Sequence, residues 1–346
     1  PRCGRDLVAF SLQPEAACIL DASERRRKLT AAGSWVGDCD SVTRRIISAS
    51  RRTDIPAFYS RWLLRRLEEG YCDWIHPFTG TLERVSLLAE DCLAIVFWTR
   101  NPAPLLPALR DLSSSGHFPF FHVTVTGYPK LLESHGPELA PSLRRLRELA
   151  ERLGPESVIW RYDPIVLSSQ TPPAFHLEQF ASIARGLEGA LRSVYFSFVD
   201  RYGKTQRSFE RLNRQHGVGC PDPEARERRQ LVLRLRDVAA RHGMTLHACC
   251  EDELVGEGVE KGRCIDLEWI RRVRSDVDER PKRRPTREQC GCTESVDIGA
   301  YDSCAFGCCY CYATSSREAA LKRLREHDPD DTVLWRPAKL RSQRRS

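Results

Sequence analysis

No apolar run in this chain of 346 residues approaches the roughly 20 that a membrane helix needs, so no helical span is expected. The opening Pro1-Arg2-Cys3 carries no apolar signal-peptide core. No Gly-x-Gly-x-x-Gly follows the first strand-like run, which argues against a dinucleotide-binding fold. Helix-turn-helix, RNA-binding and finger motifs are missing as well. With no export signal, the 15 cysteines are expected to be thiols or metal ligands in a reducing cytoplasm, not disulfides.

What is present is ordinary in bulk. Hydrophobic content of 41% and charged content of 29% fit a globular chain with a large core. The net charge of +7 is spread thinly, with local excess at 280–285 and 341–346. Those stretches read first as a solvated linker and a chain end. Contact with nucleic acid is the alternative, because Lys and Arg neutralise phosphates.

Residues 1–43 show no periodicity and read as an amino-terminal extension. From Arg44 short β-branched or aromatic runs alternate with helical stretches. The strand candidates are Arg45–Ser50, Leu93–Thr99, Phe120–Thr126, Ser157–Tyr162, Ser193–Asp200, Thr245–Cys250 and Val296–Tyr301. Helical patterns lie between them, so the fold class is α/β with a parallel sheet. Seven such repeats favour a partial or complete (β/α) barrel of TIM type. Residues 44–252 would form its core, 253–328 a cysteine-rich metal-binding segment completing it, and 329–346 a basic tail.

In a barrel the chemistry gathers at the carboxyl ends of strands. Here those ends carry Arg51, Arg52 and Asp54, then Trp98 and Thr99, then Arg161 and Asp163. These five charged residues are the candidate catalytic set, and two adjacent arginines suggest an anionic substrate, a small molecule or a nucleotide. Each also has a plain structural reading as an ion pair or a helix cap. His76 and His122 are weaker candidates.

Two cysteine groups stand out. Cys304, Cys308 and Cys311 form a C-x3-C-x2-C triplet between a strand and a helix that would begin near Ser315. Three thiolates on one loop can hold three irons of a 4Fe–4S cube and leave the fourth open; tetrahedral zinc is the alternative. Cys309 breaks the spacing. Cys250, Cys264, Cys290 and Cys292 form the second group, enough for a complete 4Fe–4S cluster or a structural zinc, with Cys249 an alternative to Cys250; because the four are not contiguous, free thiols are the other reading.

Four segments, Ile47–Pro56, Ile95–Pro102, Val158–Pro164 and Ser295–Ala313, resemble the bacterial family called domain of unknown function 1848. Separately, the Cys304–Cys311 loop resembles that of radical S-adenosylmethionine (SAM) enzymes of the spore-photoproduct-lyase-like branch. That resemblance implies a cluster-bound SAM, Tyr310 near its adenine, Trp98 and Thr99 as further cofactor contacts, and a reductant such as flavodoxin or ferredoxin. Radical SAM barrels place the loop after their first strand, whereas here it follows the last. A circularly permuted radical SAM barrel, with Val296–Tyr301 beside Arg45–Ser50, would reconcile the two. No Gly-Gly-Glu-like run follows the second strand to hold the SAM amino group. The rival expectations are a barrel whose metal is structural and whose chemistry is acid–base, and a metal-dependent nucleic-acid binder.

Overall fold

A computed structural model describes residues 44–77 and 79–337, together with the backbone of a short ladder before them. The chain divides into two compact units, 1–40 and 41–346. In the first, β1 (Lys28–Leu29) and β2 (Trp35–Val36) pair antiparallel. The rest of the expected 1–43 extension lies outside the described residues.

The second unit contains β3 (Arg45–Ala49), α1 (Ile55–Phe58), α2 (Ser60–Glu69), β4 (Tyr71–Ile75), β5 (Leu82–Ser86), β6 (Cys92–Thr99) and α3 (Leu109–Ser114). Then follow β7 (Pro119–Thr124), α4 (Leu139–Leu153), β8 (Val158–Arg161), α5 (Pro173–Leu187), β9 (Ser193–Phe196), α6 (Gly203–His216) and α7 (Ala225–Arg241). The last elements are β10 (Thr245–Cys249), β11 (Val259–Gly262), α8 (Leu267–Val273), β12 (Val296–Asp297) and α9 (Arg317–Glu326).

Eight strands form one sheet in the order β11-β10-β9-β8-β7-β6-β3-β12, and each neighbouring pair is parallel. Parallel strands buried on both faces need continuous apolar runs, and β6 supplies one in Cys-Leu-Ala-Ile-Val-Phe-Trp-Thr. Successive side chains point to opposite faces. Ile47, Phe97, Phe121, Trp160 and Phe196 therefore enter the core under α4, α5 and α7, where Leu146, Phe180 and Leu235 meet them. Ile46, Val96, Phe120, Ile159 and Tyr195 face the other way.

That second face is covered by the chain's own segment 263–293. Cys264, Ile265, Trp269 and Ile270 join its core. Trp269 meets Phe120 edge-on with ring centroids 4.8 Å apart. Arg274 donates to the Leu93 carbonyl at 2.9 Å and His122 Nε2 lies 2.7 Å from the Cys264 carbonyl.

The pairing of the last strand with the first is as expected: Val296 lies opposite Ile47, and Asp297 opposite Ser48. A closed barrel is not what the described strands make, since no ladder joins β11 to β12. With two residues β12 offers a short ladder, and Thr293 just before it gives its amide to the Ile265 carbonyl at 2.9 Å. The start of the expected basic tail is embedded. Trp62 donates to the Asp331 carbonyl at 2.9 Å, and Leu334 belongs to the main core.

His176 lies fully buried in that core, between the Tyr162 hydroxyl on Nδ1 at 3.0 Å and the Val166 carbonyl on Nε2 at 3.2 Å. Burial lowers its pKa to about 4. The folded state therefore holds it neutral while the unfolded chain begins to protonate it near pH 6.5. Its contribution is complete above about pH 6.5 and is lost as pH falls toward 4, by roughly 3 kcal/mol. Urea unfolding at pH 6.5 and pH 4.5 will show a smaller acid loss for His176→Gln than for the parent; equal losses would refute this.

Candidate functional site

At the carboxyl end of β3 the chain is fastened by one carboxylate. Asp297 of β12 accepts from Ser48 Oγ at 2.7 Å, Ser50 Oγ at 2.7 Å, the Arg51 amide at 2.8 Å, Arg52 Nε at 3.0 Å and the Gly299 amide at 3.0 Å. Burial alone would raise its pKa. The Arg52 charge and the donors outweigh that and hold it below its ordinary value. Gly299 has to be glycine here, because a Cβ would lie 2.1 Å from Ser50 Oγ.

The cysteine loop begins directly after this anchor. Asp302 (φ +54°) and Gly307 (φ +69°) turn the backbone through left-handed conformations. At Gly307 a Cβ would come 2.6 Å from Ser134 Oγ, so the loop lies close against 132–136. There Cys309 donates its amide to the Leu132 carbonyl at 2.9 Å, and Glu133 bridges Cys308. Cys304, Cys308 and Cys311 are half-buried and interact electrostatically with one another. Burial pushes the Cys308 thiol up to about 12, with nearby Arg100 opposing it, and burial raises Cys304 as well. α9 follows, capped by Ser316, whose Oγ accepts from the Ala319 amide at 3.1 Å.

A buried network holds this loop that no sequence motif announced. Arg100 pairs with Glu133, and donates to Tyr310 Oη at 3.0 Å and Thr126 Oγ1 at 3.1 Å. Tyr310 in turn donates to Glu133. The Arg100 amide meets Asp54 Oδ2 at 2.6 Å. Position 100 was visible only as a charged residue at a strand end, and Glu133 sits in a loop with no periodic signal.

Most of the expected catalytic set has internal partners. Arg52 is bound to Asp297 and lies between the rings of Trp74 and Tyr301, each 5.6 Å away. Asp54 caps α1 through the Ala57 amide at 2.9 Å, and burial raises its pKa to about 6. Arg161 pairs with Asp163, which also accepts from Ser197. Arg51 differs: its Nη2 is buried without a hydrogen-bond partner, and its guanidinium lies 4.9 Å from the Trp98 ring. Among the cofactor candidates, Trp98 stacks on His122 at 5.3 Å, Thr99 Oγ1 accepts from the Asn101 amide at 2.9 Å, and Tyr310 sits in the network above. His76 lies beside Trp74 with centroids 5.5 Å apart. A cavity of about 300 Å³ opens beside residues 298–301, lined by Arg52, Trp74, His76, Tyr301 and Arg323 but by none of the loop cysteines.

The second cysteine group is brought together. Cys249 Sγ lies 3.2 Å from Cys264 Sγ, and Arg161 Nη1 donates to Cys264 Sγ at 2.9 Å. Cys250, Cys290 and Cys292 interact with this pair and with one another through their side chains. Among the described residues no three His, Cys, Asp or Glu side chains converge tightly enough to hold one metal ion as they stand.

Residues 46–313 match the family described as domain of unknown function (DUF1848). The chain belongs to that family. The match takes in β3 through the cysteine loop, so this DUF1848 protein carries both cysteine groups within the family region. No curated protein matches the chain. Among solved structures, the carboxyl transferase domain of a Rhizobium etli pyruvate carboxylase variant is 13% identical with a TM-score of 0.25, covering 68% of this chain and 46% of that one. A structure of the pneumococcal virulence factor StrH is 11% identical with a TM-score of 0.23, covering 64% and 57%. The chain spans about half the length of those structures, and neither likeness bears on its activity.

Breaking a buried pair leaves an uncompensated charge, which costs about 3–5 kcal/mol. Glu133→Ala and Arg100→Ala will each destabilise the fold on that scale, and the double variant will lose less than the sum. Additive losses in urea unfolding would mean that the pair does not hold the loop.

Proposed function

We propose that this DUF1848 protein is an iron–sulfur enzyme of radical SAM type, with Cys304, Cys308 and Cys311 holding a 4Fe–4S cluster. The observation that carries the reading is the triplet itself: three half-buried thiols on one loop, mutually within electrostatic reach, with Cys309 between them but off the C-x3-C-x2-C spacing. Bound there, such a cluster supplies one-electron reduction of SAM to a 5′-deoxyadenosyl radical that abstracts a substrate hydrogen.

The strand order supports a permuted form of such a fold. Counted from β12, the strands follow one another in space as β12-β3-β6-β7-β8-β9-β10-β11. On that count the cysteine loop follows the first strand of an open, partial (β/α) barrel.

The chain's own residues do the positioning. Glu133, Arg100 and Tyr310 fix the loop from below Cys308. The raised Cys304 and Cys308 thiols stay protonated until metal displaces the protons, so loading releases acid. Of the expected substrate contacts, Arg51 keeps a donor without a partner, but that donor is buried beside Cys264 and Cys292, so an anionic substrate would meet its charge only where that burial opens. Arg52 would hold the wall of the adjoining cavity through Asp297. A flavodoxin or ferredoxin would supply the electron.

Anaerobic protein treated with dithionite and SAM will release 5′-deoxyadenosine, and C304A/C308A/C311A will abolish the release. A wild-type chain that holds iron and sulfide yet never cleaves SAM would refute the radical reading. Zinc in the triplet in place of iron would do so too, and would leave acid–base chemistry with Asp54 as the better account.

A further inference from the structure

Five cysteines from three separate segments meet where the sheet's second face is covered by segment 263–293. Cys249 ends β10 and Cys250 follows it, Cys264 follows β11, and Cys290 and Cys292 precede β12. Their side chains interact in a closed circuit: Cys249 with Cys264, Cys264 with Cys292, Cys292 with Cys290, Cys290 with Cys250, and Cys250 with Cys249. Cys249, Cys264, Cys290 and Cys292 are buried. Alternation along β10 puts neighbouring side chains on opposite faces, so Cys250 would ordinarily point away from Cys249. It instead adopts φ +59°, outside the strand, and joins the circuit. Gln289, just before Cys290, is also left-handed at φ +58°. A non-glycine residue in that region is strained and persists where its surroundings fix it.

Three guanidinium groups surround these thiols. Arg161 donates to Cys264 Sγ, Arg287 donates to the Cys249 carbonyl at 3.2 Å, and Arg51 lies within electrostatic reach of Cys264 and Cys292. Arg161 and Arg287 also pair with Asp163 and Asp200, whereas Arg51 keeps a buried Nη2 without a hydrogen-bond partner. A thiolate centre would use that charge, and the Arg161 hydrogen bond to Cys264 Sγ as well. Soft all-sulfur donors select zinc or an iron–sulfur cluster. Zinc–sulfur bonds of about 2.3 Å set neighbouring sulfurs about 3.8 Å apart, and a cube sets its ligands farther apart still. Cys249 and Cys264 stand closer than either, at 3.2 Å, and among the described residues no three side chains form a single-ion shell. Either centre would therefore part these thiols on loading, and metal and sulfide content decides between them.

We propose that Cys250, Cys264, Cys290 and Cys292 hold a second, fully ligated 4Fe–4S cluster, with Arg161 donating a hydrogen bond to its Cys264 sulfur. Cys249 is the fifth thiol and sits beside it. Arg161 and Asp163 are then positioning residues for this centre, not substrate contacts. Hydrogen bonds to the sulfurs set the potential of such a cluster. The proposal is independent of whether the loop cysteines support SAM cleavage.

The test uses the full chain, reconstituted anaerobically, with iron, sulfide and zinc measured together. C304A/C308A/C311A will retain iron and sulfide near four each, the content of one cube, and an electron paramagnetic resonance signal after reduction. Adding C264A and C290A will remove both. Arg161→Gln in the triplet background, which leaves every cysteine in place, will shift the midpoint potential of the retained cluster. A triplet variant with no iron, or with one zinc and no sulfide, would overturn the proposal. So would an unchanged potential in Arg161→Gln, which also guards against a cysteine variant that merely fails to fold.

Discussion

The carboxylate of Asp297 is the joint on which this molecule depends. It belongs to a strand of two residues near the end of the chain, and its five donors come from the first strand of the sheet, the turn after it and Gly299. A ladder of two residues has little stability of its own. A buried charge with several donors, one of them an arginine, has much more, because removing any partner would leave the others desolvated and unpaired. Through this contact the late segment that carries the cysteine loop is set beside β3, some 250 residues earlier in the chain. The positions of Arg51, Arg52 and the loop all follow from it.

The second constraint is how the sheet's two faces are filled. One is covered by helices in the usual α/β manner. The other receives segment 263–293, whose Trp269 and Ile270 occupy the space against Phe120 and Val96. That filling leaves little of an open polar cup at the strand ends. It explains why Arg161 meets a sulfur and Asp163 meets Ser197, both within the protein.

Much of the sheet was legible in the sequence, for a physical reason. Strands buried on both faces must be continuously apolar, and Leu93–Thr99 and Ser193–Asp200 announced themselves that way; the ladders end at Thr99 and Phe196. β11, Val-Glu-Lys-Gly, did not, since an edge strand of four residues can be half polar. α6 buries only Thr205, Phe209 and Leu212, too thin a stripe to stand out among its charges. The hairpin of β4 and β5 escaped because Cys72 and Val85 are its main buried positions on otherwise mixed strands. At the site, the C-x3-C-x2-C spacing marked the loop, and the second group showed only as a C-x-C pair and two separate cysteines in polar, turn-rich stretches, while Asp297, Glu133 and Arg100 act through contacts distant in sequence. No local pattern encodes such contacts.

The two thiol groups differ in how the chain supplies them, and the difference matches the chemistry each is assigned. Cys304, Cys308 and Cys311 come from one loop, so a centre held there has three protein ligands and one free position. Cys250, Cys264, Cys290 and Cys292 come from three segments that the fold brings together at the sheet's second face. Three of these four are buried, and Arg161 donates to Cys264 Sγ. A centre with all four positions filled by the protein needs such shielding and hydrogen bonding. Arg51 lies between the two groups, near Cys264 and Cys292 on one side, while Tyr312, the neighbour of Cys311, donates to the Arg51 carbonyl at 2.6 Å. Arg51 thus touches both regions in different ways, its guanidinium toward the second thiol group and its carbonyl toward the loop.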